Sequence, residues 1–261
     1  MVLEEILASK RIEVKAAQVK MPLGELKERL SRHVAERDFY EVLSRAGRLH
    51  LIAELKRKSP SKGMLRERFD PISLAQEMEQ AGASALSVLT DEPFFSGRLD
   101  YLRDAKQFTE IPALRKDFIL EPYQVYEAAF YGADAVLLIV RILDEKMLKR
   151  CIETARGLGL EALVEVHADK ELPIALRAGA RIIGINHRDL DSLSMDEGLS
   201  ARLVPKIPKG ALVVAESGIH TAQDVQRMQQ LGVCAVLIGE ALMSASSASG
   251  KIRELFQFVW L

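Results

Sequence analysis

The sequence predicts a (βα)8 barrel, the TIM-barrel fold, with an N-terminal helical extension, the whole of residues 1–261 forming one domain. Three observations predict it. The length lies close to the roughly 250 residues typical of one such barrel. From about residue 50 onward, eight short apolar runs alternate with longer amphipathic segments. A glycine that ends a helical stretch recurs at about 50-residue intervals, the length of a (βα)2 unit.

The eight runs are Leu49–Leu55, Ala85–Leu89, Ile111–Leu114, Ala135–Val140, Ala162–Val166, Ile182–Ile185, Leu212–Ala215 and Ala235–Ile238. Most are rich in Val, Ile and Leu without strict alternation, as strands buried on both faces should be. Pro112 falls in the third run, where its missing N–H requires the first position or an edge. Segments such as Ser73–Gln80 and Ala222–Gln230 carry helical periodicity. Gly82, Gly132, Gly179 and Gly232 each close a helix and precede an even-numbered strand. A left-handed glycine ends a helix without steric cost. Residues 1–48 read as helices, with apolar Ile6, Val14, Leu23, Leu26 and Leu30 among many charges. No Pro/Gly-rich linker separates them, so they are expected to pack on the barrel.

Composition excludes several classes. The 36 basic and 37 acidic residues give a net charge of −1, so no global field favours nucleic acid or an anionic membrane. No apolar stretch reaches the roughly 18 residues of a membrane span, and the charged N-terminus does not resemble a signal peptide. Cys151 and Cys234 cannot build a disulfide framework, which suits a reducing, cytoplasmic compartment.

Function in such barrels sits at the C-terminal ends of the strands. Glu54 and Lys56, two apart, face the same way at the end of strand one, before the long basic loop Arg57–Gly63. Lys116 shares a face with Leu114 and should point into the barrel mouth. Held there beside other cations, it would have a lowered pKa and serve as a general acid. Strand five ends with Glu165, strand six with Asn186, strand seven with Glu216. Charges at so many strand ends are costly to bury without a task. Gly218 and Gly239, after strands seven and eight, would let the backbone approach a phosphate closely. His167, His187 and His220 also follow strands, but no H-x-H or H-E-x-x-H pair accompanies them, so no metal is expected.

These motifs carry a resemblance. Ile52–Gly63, Leu114–Phe118, Leu163–His167, Ala215–Ile219 and Gly239–Met243, together with Thr90–Glu92, Phe94, Phe95 and Gly97, resemble in order the signatures of the indole-3-glycerol-phosphate synthase family. The resemblance implies ring closure, decarboxylation and dehydration of 1-(2-carboxyphenylamino)-1-deoxyribulose 5-phosphate. It implies that Lys116 protonates the sugar carbonyl oxygen and that Lys56 holds the departing carboxylate. Glu165 and Glu54 would manage proton transfer and cation stabilisation, with Asn186 and Glu216 orienting the substrate. Ser59, Arg188, Ser217, Gly218 and Gly239 would bind phosphate. Phe94, Phe95, Phe118 and Leu137 would line the aryl pocket.

The only partner expected is a small phosphorylated substrate, bound by a monomer or weak homodimer without a cofactor. The sequence departs from the family at His187, where a second asparagine is common, and at Ser244, where arginine is common. These departures bear on fine specificity rather than reaction type. Alternatives are a phosphoribosylanthranilate isomerase, which typically wants a strand-one cysteine, and a non-catalytic phosphate-binding barrel, which should have lost Lys116 or Glu165.

Overall fold

Alternating apolar runs and amphipathic segments fold as the pattern requires. A computed structural model describes residues 2–30 and 37–260. Eight parallel strands close on themselves: β1 (His50–Leu55), β2 (Ala85–Leu89), β3 (Ala113–Lys116), β4 (Ala135–Ile139), β5 (Glu161–Val166), β6 (Ile182–Asn186), β7 (Leu212–Glu216) and β8 (Ala235–Ile238). Each pairs with the next, and β8 pairs with β1 through His50↔Ala235 to Ala53↔Ile238. The main outer helices are Pro71–Gln80, Leu99–Phe108, Pro122–Phe130, Glu145–Gly157, Leu172–Arg177, Leu199–Leu203, Ala222–Gln230 and Ala248–Phe256. Gly82, Gly132, Gly179 and Gly232 all have left-handed φ, between 82° and 101°, as helix terminators.

The third strand differs from its sequence-based placement. It starts at Ala113, two residues later than the apolar run, which leaves Pro112 outside. Proline has no N–H for the ladder, and here only its carbonyl is used, accepting from Leu86 N at 2.9 Å.

Alternation along each strand divides the core in two. Outward residues such as Val136, Val164, Ala215 and Val236 pack against the helices. Inward residues, including Ile52, Leu114, Leu137, Leu163, Val214 and Leu237, fill the barrel interior. In sequence, Leu114 is followed two places on by Lys116, Ile52 by Glu54, Leu163 by Glu165 and Val214 by Glu216. The layer above the apolar filling is therefore built from charges, and every one of them ends a strand or stands next to its end.

The N-terminal extension supplies α1 (Val2–Lys20), α2 (Leu23–Arg29) and α3 (Phe39–Ser44). Leu3 and Ile6 of α1, and Phe39 and Leu43 of α3, join the interior cluster. Val14 and Leu26 pack on Tyr123 instead. Leu23, named with them among the apolar positions of the sequence, opens α2 and is 37% exposed.

Candidate active site

The inward charges meet at the barrel mouth. Lys116 Nζ lies 2.9 Å from Glu165 Oε2 and 3.3 Å from Glu216 Oε2. Beside them Lys56 Nζ is 2.8 Å from Glu54 Oε1, and Ser87 Oγ donates to Glu54 Oε2 at 3.4 Å. Glu54, Glu165 and Glu216 are all buried. Two glycines make room for them. A methyl group at Gly184, which pairs with Glu165 across the ladder, would stand 2.3 Å from Glu216 Oε1. One at Gly239 would stand 2.2 Å from Glu54 Oε1. Gly239 was read from sequence as a phosphate approach; the structure adds that it is the space Glu54 occupies.

The environment of Lys116 reverses the sequence-based expectation. Its neighbours are carboxylates rather than cations. Burial pulls its pKa down, but Glu165, Glu216 and Glu54 together outweigh burial and raise it above the ordinary lysine value. The ammonium is thus fully charged at neutral pH. The two carboxylates that flank it diverge. Burial pushes Glu216 upward by more than Lys116 can offset, and the charge of Glu165 pushes it further. Glu165 feels the same burial, yet Lys116 and His167 hold it well below the usual carboxylate range. Such a split suits one group to give a proton and the other to take one.

A cavity opens over this cluster and receives every site residue proposed from sequence except Phe94. Phe95, Phe118 and Leu137 line it, with the Phe95 and Phe118 ring centroids 6.2 Å apart. Phe94 instead lies half-buried against the interior cluster outside the cavity, its N–H donating to the Asp91 side chain that caps the short turn. Ser59, Ser217, Gly218 and Gly239 line the cavity with Arg188 and Glu240. Ser217 and Gly218 both have left-handed φ, 65° and 73°. Asn186 Oδ1 accepts from Arg188 N at 3.0 Å, and the Arg188 guanidinium lies 3.4 Å from Glu240.

Sequence reasoning missed part of the lining. Leu3 and Ile6 of α1 and Leu190 and Leu193 after β6 also face the cavity. Their apolar character was visible, but nothing local says that they reach the mouth. The departure at His187 has a structural account. Its Nδ1 lies 3.0 Å from the Ser217 carbonyl, which can only accept, so Nδ1 carries the proton; Nε2, 2.7 Å from Ser200 Oγ, is left as acceptor. Burial lowers its pKa in keeping with the neutral form. His187 thereby holds the strained Ser217 turn. Ser244 is exposed, and Arg66 from the loop after β1 donates to the Met243 and Ala245 carbonyls on either side of it.

The family model described as indole-3-glycerol phosphate synthase matches residues 3–255. This chain belongs to the indole-3-glycerol phosphate synthase family. The synthase of Acetivibrio thermocellus is 45% identical over 256 residues, covering 97% of this chain and 98% of that protein. That of Caldanaerobacter subterraneus is 46% identical over 259 residues, 99% of each. Among solved structures, 3-hexulose-6-phosphate synthase from Salmonella typhimurium superposes with a TM-score of 0.62 over 80% of this chain and 97% of its own. At 16% identity it speaks for the barrel fold alone. Within the synthase family the strand-one motif, with Glu54 and Lys56 paired at the mouth, gives the isomerase reading no support.

Proposed function

We infer that this barrel converts 1-(2-carboxyphenylamino)-1-deoxyribulose 5-phosphate into indole-3-glycerol phosphate, with release of CO2 and water. Membership of the family makes it a carbon–carbon lyase of the carboxy-lyase type, in tryptophan biosynthesis. The observation that carries the assignment of roles is one ammonium, Lys116, set between Glu165 and Glu216 beneath an apolar cavity.

The chemistry follows from that arrangement. The aryl ring lies against Phe95, Phe118 and Leu137, and the phosphate against Ser59, Ser217, Gly218 and Gly239, with Arg188 as a further polar contact. Lys56 holds the aryl carboxylate. As the carboxylate-bearing ring carbon attacks the sugar carbonyl, the new C–C bond leaves alkoxide character on oxygen. Lys116 donates its proton there; a raised pKa is no obstacle, because an alkoxide is more basic still. The carboxylate leaves as CO2 and restores the aromatic pair to the ring. The hydroxyl then departs as water with the proton that Glu216 holds, while Glu165 takes up the proton that the intermediate sheds; solvent restores the protons of Lys116 and Glu216 before the next turnover. Glu54, paired with Lys56, stabilises the cationic character that develops. Asn186 orients the substrate together with Arg188. The reaction needs no partner beyond its substrate. The two free thiols, Cys151 buried and Cys234 half-buried, support a cytoplasmic location. No described helix is long and apolar enough to cross a membrane.

The test is the appearance of indole fluorescence from the carboxyphenylamino substrate. Lys116→Met keeps the stem and deletes the charge, so kcat should fall by about 10²–10⁴-fold with little change in KM. Lys56→Met should raise KM as well, since its proposed partner is already present in the ground state. A folded Lys116→Met enzyme with more than about a tenth of wild-type kcat would remove the general-acid role.

A further inference from the structure

His167 lies one residue beyond β5 and takes no part in the steps above, yet its side chain is fully buried against the base. Its Nε2 stands 3.0 Å from Glu165 Oε1, the oxygen that Lys116 does not contact. Its Nδ1 stands 3.7 Å from Glu171 Oε2, and its backbone N–H donates to that same oxygen at 2.6 Å. Neither ring nitrogen forms a well-aligned hydrogen bond, and neither meets a proton donor among the described residues; the polar side-chain groups nearest them are carboxylates, which only accept. A buried imidazole with a carboxylate beside each nitrogen is electrostatically favoured as the imidazolium. Burial alone would lower the pKa of His167, but Glu165 and Glu171 reverse this and raise it to about 9.

Glu171 is itself anchored, accepting from Arg141 Nε at 3.0 Å, and Arg141 is held in turn by Asp189. The charges facing Glu165 are therefore Lys116 from β3, His167 at its own strand end and Glu216 from β7, with Glu54 of β1 acting on the same cluster. Glu165 has two cations, one on each oxygen, at 2.9 and 3.0 Å. Glu216 shares only Lys116, at 3.3 Å, and neither of its oxygens has a hydrogen-bond partner among the described residues. An unpartnered buried carboxylate is far less costly neutral than charged.

We propose that His167 is a positioning residue for the reaction: by contacting the free oxygen of Glu165 it keeps that carboxylate ionised as the base and leaves the proton shared by the two carboxylates on Glu216. This deepens the functional reading above and rests on it. Removing the imidazolium, as in His167→Gln or His167→Asn, withdraws one of the two cations from Glu165, whose pKa then rises.

The experiment compares the pH profiles of kcat/KM for wild type and both variants. The acid limb should move upward by about one pH unit or more in each variant, since one unit corresponds to about 1.4 kcal/mol of altered charge interaction. A purely structural role would lower kcat at every pH and leave the limb where it was; a limb within about 0.2 unit of wild type overturns the proposal. ¹⁵N NMR of the wild-type imidazoles tests it without relying on a variant's activity, the His167 signals being identified by their loss in His167→Gln. Both His167 nitrogens should be protonated at pH 7.5, with titration near 9, and Glu165→Gln should bring that titration down toward the ordinary value of about 6.5. A neutral His167 at pH 7.5 also overturns the proposal. Absence of indole product from the wild-type enzyme would instead strike the functional reading.

Discussion

Strand β3 carries two buried ion networks on its two faces, and they are built to opposite standards. On the outward face, Arg115 is fully buried. It donates to Thr90 Oγ1 at 3.2 Å, the Gln124 carbonyl at 2.9 Å and Asp117 Oδ2 at 3.0 Å, and pairs with Glu127 at 2.9 Å. Lys10, reaching in from α1, adds contacts to Asp117 at 2.8 Å, Asp91 at 3.1 Å and Glu13 at 2.8 Å. Asp117 also accepts from Thr90 and from the Phe118 N–H. Every charge there is matched; Asp117 reaches the edge of the mouth cavity and Glu13 and Thr90 a second, shallower one, while Lys10 and Arg115 line neither.

On the inward face, Lys116 is matched, but both oxygens of Glu216 and both ring nitrogens of His167 are buried without a properly formed hydrogen bond among the described residues. That face opens on a cavity. Burial of charge is therefore not what distinguishes the active centre, since both faces bury a lysine whose pKa is raised. Incomplete satisfaction beside an open space is.

The comparison can be broken at either network. The largest effect should come from the outward one. Lys10→Met leaves Asp91 without its cation and Asp117 with Arg115 alone, and breaking a buried pair typically costs about 3–5 kcal/mol. For a domain of this size that is a fall in Tm on the order of 10 °C, with kcat at 25 °C largely retained. Thermal unfolding and steady-state kinetics on one preparation decide it. A loss of kcat as deep as that of Lys116→Met, with Tm unchanged, would erase the distinction between the two faces.

Gly184→Ala probes the inward network with the reverse expectation. The new methyl displaces the Glu216 carboxylate, and a misplacement of about 1 Å in catalytic groups can cost on the order of 10²-fold in rate. The fall should appear in kcat with a much smaller change in Tm than for Lys10→Met. Normal turnover in Gly184→Ala would show that Glu216 need not sit where the structure has it.

The smallest effect should follow exhaustive chelation. Lys116 occupies the position between Glu165 and Glu216 that a cation would need, and no metal-holding group of three or more His, Cys, Asp or Glu occurs among the described residues. Activity should survive EDTA unchanged. Loss of turnover that a divalent ion restores would mean that the inward network is completed by metal.

Much of this was legible from local pattern. Alternation placed Lys116 with Leu114 and Glu54 with Lys56, because side chains two apart on a strand share a face whatever the rest of the chain does. The helix-ending glycines marked the repeat because only a residue without Cβ takes the left-handed turn freely. The motifs around Glu54, Lys116, Glu165 and Glu216 were enough to find much of the cavity lining, though they counted Phe94 in and left out Leu3, Ile6, Leu190 and Leu193.

What local pattern did not contain is which strand ends become neighbours. Barrel closure sets Glu165 of β5 and Glu216 of β7 against Lys116 of β3, and so decided that its pKa rises where the sequence suggested a fall. The same closure placed Leu3 and Ile6 over a cavity formed by residues far along the chain, and turned Gly184 into the gap through which Glu216 reaches. The face on which a side chain lies is a property of its own strand, with a period of two. The sign and strength of the field around it depend on contacts made across the closed barrel, and those exist only in the tertiary structure.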